Sequence, residues 1–176
     1  MTPEVAVENP KRKEESIPVG ENLSLKNQEL LNYISRNFSG KHFLHGSIMD
    51  IPQISVEPLD LWSVCEKLKT SRHTDFKMLL CLAGVDYEEY IQIVYILYSL
   101  NKAHTLAIKV DLPYDKLEIQ TVSDIWRAAN WYEREAHDLF GVDFSGHPDM
   151  SPLILFDGFE GYPGRKEFPL HEYDEY

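Results

Sequence analysis

Three apolar runs in the middle of the chain constrain its fold more than any other feature: Phe76 to Leu82, Tyr90 to Tyr98 and His104 to Val110. Each is rich in branched and aromatic residues and too short for a long helix, so each reads as a strand. In the second run Ile91, Ile93, Tyr95 and Leu97 share one face and Val94, Ile96 and Tyr98 the other. A strand apolar on both faces belongs in the centre of a covered sheet. In the third, Leu106, Ile108 and Val110 alternate with Thr105, Ala107 and Lys109, which predicts one face toward water. The connections, Asp86 to Glu89 and Ser99 to Lys102, are short enough for hairpins. An antiparallel meander follows.

Helical patterns flank it. Ser24 is a good N-cap for a first helix with the stripe Leu30, Leu31, Ile34 and Phe38, and Gly40 supplies a left-handed stop. A strand is expected over His42 to Ile51, broken by Pro52. Pro58 suits the first turn of a second helix, which turns Leu61, Cys65 and Leu68 one way with Leu59 and Trp62 beside them. A third helix is predicted from Ser123, with Asp124 at its positive end and Ile125, Ala129, Tyr132, Ala136 and Leu139 as the buried stripe. Gly141 ends it. The fold class is therefore α+β: an antiparallel sheet meander packed with helices, followed by an extended irregular C-terminal arm. Residues 1–22, polar and rich in charge, read as a tail, 23–141 as the domain and 142–176 as the arm.

From Gly141 onward glycine or proline recurs every few residues, which rules out long helices and central strands. Yet the segment carries Phe144, Leu153, Ile154, Phe156, Phe159, Tyr162, Phe168 and Tyr173, whereas disordered tails are poor in such residues. The expectation is an arm that lays its apolar side chains on another protein and serves for partner docking. The alternative is that it folds back over its own sheet.

Charge narrows the function. With 17 basic and 29 acidic residues, a net charge of −12 excludes nucleic acid, which is held by clustered Lys and Arg. No stretch of about 20 apolar residues exists, and Met1 to Pro10 lacks a basic-then-apolar leader pattern. A soluble protein is expected, linked to a membrane only through partners. The two cysteines, Cys65 and Cys81, lie in apolar elements and read as reduced, inert thiols; an iron–sulfur cluster would need four.

Glu133 with His137, and Arg134 with Asp138, are spaced i,i+4 and can brace the third helix. A metal or acid–base site from Glu133, His137, Asp138 and His147 is the functional alternative, but only Glu133 and His137 have ligand spacing on one helix face. Gly146-His147-Pro148-Asp149 reads as a turn. Gly158, Gly161 and Gly164 before Arg165-Lys166 match neither phosphate-loop pattern. No catalytic constellation emerges.

The stretch Ala128-Ala129-Asn130-Trp131-Tyr132-Glu133-Arg134-Glu135, continuing His137-Asp138-Leu139-Phe140-Gly141-Val142, resembles the signature of the 30-kDa subunit family of NADH:quinone oxidoreductase, respiratory complex I. The resemblance continues in order through Gly146-His147-Pro148-Asp149, Glu160-Gly161-Tyr162-Pro163 and Arg165-Lys166-Glu167-Phe168-Pro169-Leu170. Upstream it includes Cys81 to Tyr87 and Val122 to Trp126. The sequence departs from that pattern where Met150 to Leu155 replaces a basic pair, and where His137, Phe159 and Gly164 stand for Tyr, Trp and an apolar residue. The resemblance implies a small α+β domain whose arm wraps a 49-kDa-type quinone-site subunit, beside cluster-bearing subunits. It implies no cofactor in this chain, with iron–sulfur clusters and flavin in partner subunits. The place implied is peripheral, on the cytoplasmic side of the cell membrane or the matrix side of the mitochondrial inner membrane. Carried onto these positions, it makes Trp131, Glu133, Arg134, Asp138, Phe140, His147, Pro148, Phe159, Tyr162, Arg165, Lys166, Phe168 and Pro169 subunit-interface residues rather than catalysts. The equivalent component of a membrane-bound hydrogenase, or of a ferredoxin- or deazaflavin-dependent dehydrogenase, fits the same motifs.

Overall fold

The computed structural model describes residues 23–38, 44–48 and 50–169. The N-terminal tail, the Gly40 stop, the start of the strand expected from His42 and the last residues of the arm lie outside them. The first helix, α1 (Leu25–Asn37), begins after Ser24 and buries Leu30, Leu31 and Ile34. Ser24 contributes through its backbone, its carbonyl receiving the amides of Asn27 and Gln28.

The single strand expected over His42 to Ile51 is instead a hairpin, β1 (Leu44–Ile48) and β2 (Ile51–Ser55), turned at Asp50 with φ +64°. Pro52 lies within β2 rather than breaking it. It is tolerated because the ladder on that strand's other side begins one residue later, at Gln53. Pro58 opens a single 3-10 turn, Pro58–Asp60, and α2 (Leu61–Thr70) follows, burying Leu61, Val64, Cys65 and Leu68. Leu59 is left exposed.

The meander is present as β3 (Met78–Asp86), β4 (Tyr90–Ser99) and β5 (His104–Pro113), all antiparallel. At the β3–β4 turn Asp86 Oδ1 accepts the Glu88 amide at 2.7 Å, which supports the left-handed Glu88. Ile91, Ile93, Tyr95 and Leu97 are fully buried, as are Leu106, Ile108 and Val110 beside them. The opposite row, Val94, Ile96 and Tyr98, is half-buried, so the helices cover one face far more completely. Ala107, expected toward water, is buried. One junction breaks the antiparallel rule: β2 joins β5 in parallel at Gln53–Ala107 and Ile54–Ile108, giving the order β1-β2-β5-β4-β3.

A short parallel pair, β6 (Glu118–Gln120) and β7 (Asp143–Ser145), lies beyond the main sheet. Between them stands α3 (Ala129–Phe140). It begins six residues after the predicted Ser123, because the segment 121–128 is spent on turns. Ile125 and Trp126 donate to the Val122 carbonyl, and the Trp126 indole donates to Phe76 O at 3.1 Å. Gly141 closes α3 at φ +72°, its amide on His137 O, as the αL stop requires. Val142 and Phe144 are buried, so the core continues through β7, past the boundary expected at Gly141.

Candidate functional site

The outer face of α3 and the strand-poor segment that crosses it form the site. The i,i+4 pairs expected along the helix do not form. Each of the four side chains turns to a backbone partner instead, Glu133 and Asp138 in buried positions and Arg134 and His137 in half-buried ones.

Glu133 turns inward and is buried. Its Oε1 accepts the Val122 amide at 2.8 Å and its Oε2 accepts the Thr121 hydroxyl, so the carboxylate fastens the turns before α3. Burial pushes its pKa up to about 7 despite those two donors, and the charge of Asp124 adds to the rise. Cys65 and Tyr95 share this interior; burial raises both of their pKa values, and Glu133 raises them further.

His147 stacks its hydrogen bonds along the same wall. Its Nε2–H donates to Asn130 O at 3.2 Å and its Nδ1 accepts the Asp149 amide at 3.1 Å, which fixes the neutral tautomer. The imidazole lies 3.8 Å from Glu133, with both side chains fully covered. Pro148 is exposed. His137 Nδ1 donates to Val142 O at 2.9 Å. Of the four residues of the metal alternative only Glu133 and His147 come together, His137 and Asp138 turning to Val142 and the arm, and among the described residues no group of three or more His, Cys, Asp and Glu is placed to hold an ion.

Arg134 and Asp138 hold the arm. Arg134 donates through Nε to Ser151 O at 2.9 Å and through Nη2 to Ser151 Oγ and Pro152 O. One turn further, Asp138 Oδ2 accepts the amides of Leu153 and Ile154 at 2.8 Å and of Leu155 at 3.3 Å. Burial pushes this carboxyl up, but the three amides together outweigh it and hold its pKa below the ordinary value.

A second anchor lies at the end of α3. Arg165 donates to Phe140 O through Nε at 2.9 Å and Nη2 at 2.8 Å, satisfying a terminal helix carbonyl. Its guanidinium lies 4.4 Å from the Tyr162 ring centroid and 5.2 Å from that of Tyr114. The Lys166 amide donates to Asp86 Oδ2 at 2.8 Å, and its ammonium reaches Glu88 at 3.1 Å. Glycines make the approach possible. A Cβ on Gly84 would stand 2.6 Å from the Phe140 ring, and one on Gly141 2.5 Å from the Tyr162 ring. Phe168 packs over Gly161 and stacks on Phe159 at 5.9 Å, which meets Phe156 edge-on at 5.3 Å. Pro169 is exposed.

Although its backbone is tied to the domain, the segment leaves large apolar side chains outside: Phe156 is 71% exposed, Ile154 54% and, on α3, Trp131 67%. Asp86 and Tyr114 join the site beside the residues singled out in the sequence. Asp86 stood inside a recognised motif, whereas Tyr114 carried no signal of its own.

Comparison with known proteins is consistent over most of the chain. The family model described as respiratory-chain NADH dehydrogenase, 30 Kd subunit, matches residues 54–174. The C 2 subunit of NADH-quinone oxidoreductase from Rhizobium meliloti strain 1021 is 38% identical over 148 residues, 82% of this chain and 81% of the relative. The C-type subunit of the same oxidoreductase from Burkholderia thailandensis is 40% identical over 130 residues, 68% and 65% of the two chains. Among solved structures, a chain of the membrane-bound sulfane sulfur reductase, an archaeal respiratory membrane complex, superposes with TM-score 0.70 at 27% identity. That match covers 85% of this chain and 96% of that one. A trypsin-resistant fragment of Nqo5, residues 1–134, gives TM-score 0.57 at 26% identity over 70% of this chain and 98% of the fragment.

Proposed function

This chain belongs to the respiratory-chain NADH dehydrogenase 30 Kd subunit family, and on that premise we propose that it is a scaffold subunit of the hydrophilic part of a proton-translocating NADH:quinone oxidoreductase, without catalysis or cofactor of its own. It supports electron transfer from NADH to quinone by joining the subunits that carry the flavin, the iron–sulfur clusters and the quinone site. The observation that carries the reading is the arm. Its backbone is tied to α3 by Arg134, Asp138 and Arg165, while Ile154 and Phe156 stay outside. Apolar side chains held in water on an ordered backbone are a surface waiting for a neighbour.

In this reading the partner is a 49-kDa-type subunit beside the quinone site, and the chain is peripheral, on the cytoplasmic side of a cell membrane or its mitochondrial equivalent. No helix among the described residues is long and apolar enough to cross a membrane, so attachment runs through the complex. Affinity isolation of the tagged full chain, with mass spectrometry of the co-purifying proteins, tests this. Recovery of NADH-, flavin- and cluster-binding subunits in fixed proportion is expected; isolation of the chain alone would contradict it.

A second reading is favoured by the likeness to the sulfane sulfur reductase chain, which is nearly fully covered. The same scaffold then serves a respiratory membrane complex with another donor or acceptor, such as a hydrogenase or a ferredoxin- or deazaflavin-dependent dehydrogenase. The same isolation separates the two: a large partner with two Cys-x-x-Cys nickel motifs marks the hydrogenase type.

A further inference from the structure

We propose that the outer face of α3 and the arm together form one preformed apolar ridge, built from Trp131, Ile154, Phe156 and Phe159, that seats in a groove with an apolar floor and a basic rim on a neighbouring protein subunit. This rests on the docking reading above and adds its chemistry.

Trp131 lies three residues before Arg134 and seven before Asp138, so the three share one face of the helix. Arg134 takes the arm at Ser151 and Asp138 takes it at Leu153 to Leu155, so the arm runs along that face away from Trp131 and continues the row. The row is rigid from both sides. Ile154 gives its amide to Asp138, and Phe156 leans on Phe159, which is stacked on Phe168. Because its backbone is fixed to its own domain, the exposed ridge cannot turn inward to bury these rings. Binding then orders little that is free, which favours affinity.

The charge around the ridge decides the partner. Asp157 and Glu160 are exposed between the aromatic side chains. The two cations of the segment are committed to the chain itself, Arg165 to Phe140 O and the tyrosine rings, Lys166 to Glu88. After Pro169 the sequence adds Glu172, Asp174 and Glu175 with no Lys or Arg among residues 170–176. An apolar ridge edged by carboxylates is attracted by a groove edged with Lys and Arg. An anionic lipid surface or a nucleic acid would repel it.

The test replaces the chain in cells by variants, isolates the assembled complex and follows dissociation of the chain at low and high potassium chloride. Trp131→Ala with Phe156→Ala should speed dissociation roughly a hundred- to ten-thousand-fold, the value of two large apolar contacts. Asp157→Lys with Glu160→Lys should speed it several-fold at low salt, with the difference from wild type shrinking at high salt as screening grows. Thermal melts of the isolated variants, all altered at exposed positions, should match wild type. A chain cut after Asp149 serves as the reference. If that chain is excluded while both double variants dissociate like wild type, the arm docks but not by this ridge, and the inference falls alone. If the lysine variant dissociates more slowly, the rim is acidic and the inference is likewise overturned. If the cut chain is retained like the full one, docking by the arm falls and takes the ridge with it.

Discussion

Removing the Asp138 carboxylate should release the arm without unfolding the domain. One oxygen, Oδ2, accepts three consecutive amides, Leu153, Ile154 and Leu155, at 2.8, 2.8 and 3.3 Å. A hydrogen bond to a charged group contributes roughly 1.5–3 kcal/mol. The three amides share a single acceptor, and water can reach them once the arm lifts, so the loss is closer to one such bond than to three. Taking about 2 kcal/mol, the undocked fraction of the arm rises about thirty-fold. Hydrogen exchange on the isolated chain reads this directly. In Asp138→Ala the amides of residues 153–155 should exchange about thirty-fold faster, while those of β4 keep their protection. Asp138→Asn retains a neutral acceptor and should fall between. The pH dependence has a fixed sign: the folded pKa is lowered, so the contribution is present above the ordinary carboxylate value near 3.8 and is lost as pH falls through the folded value. Unchanged exchange at residues 153–155 in the alanine variant would refute the reasoning, as would loss of protection across the whole sheet.

Other expectations concern the stability of the domain. Glu133 has a folded pKa raised to about 7 from 4.5, so its contribution to stability is fully present below about pH 4.5 and declines as pH rises through 7. Denaturant melts from pH 5 to 8 should show that decline, and Glu133→Gln should flatten it. A chain ending at Gly141 loses the buried Val142 and Phe144 and should be unfolded or lower in stability by at least about 3–5 kcal/mol, the usual cost of losing a buried Phe, whereas one ending at Asp149 should melt cooperatively. Gly84→Val places side-chain atoms where the Phe140 ring now lies and should cost about 1–3 kcal/mol in the same melts.

The meander was legible because its signal is local: the alternation of Ile91, Ile93, Tyr95 and Leu97 needs no knowledge of the rest of the chain. The parallel joint of β2 to β5 was not, since pairing Ile54 with Ile108 is settled by the packing of distant segments. The start of α3 was misplaced because an apolar stripe cannot announce a buried carboxylate. Glu133 fills a core position by satisfying Thr121 and Val122, and those turns displace the helix from Ser123. Arg134 and Asp138 were recognised as site residues, but with the wrong partners. Spacing four apart suggests a pair on one helix, whereas both reach backbone 15 to 18 residues away. The Lys166 amide on Asp86, 80 residues upstream, lies further still beyond any local pattern.

The most direct test of the scaffold account is incorporation of the chain ending at Asp149, expressed in place of the full chain and followed on native gels of solubilised membranes. The account predicts a folded, soluble domain that is absent from the large complex, with NADH–quinone activity lost alongside it. A truncated chain that migrates with the complex at full-length abundance would contradict it.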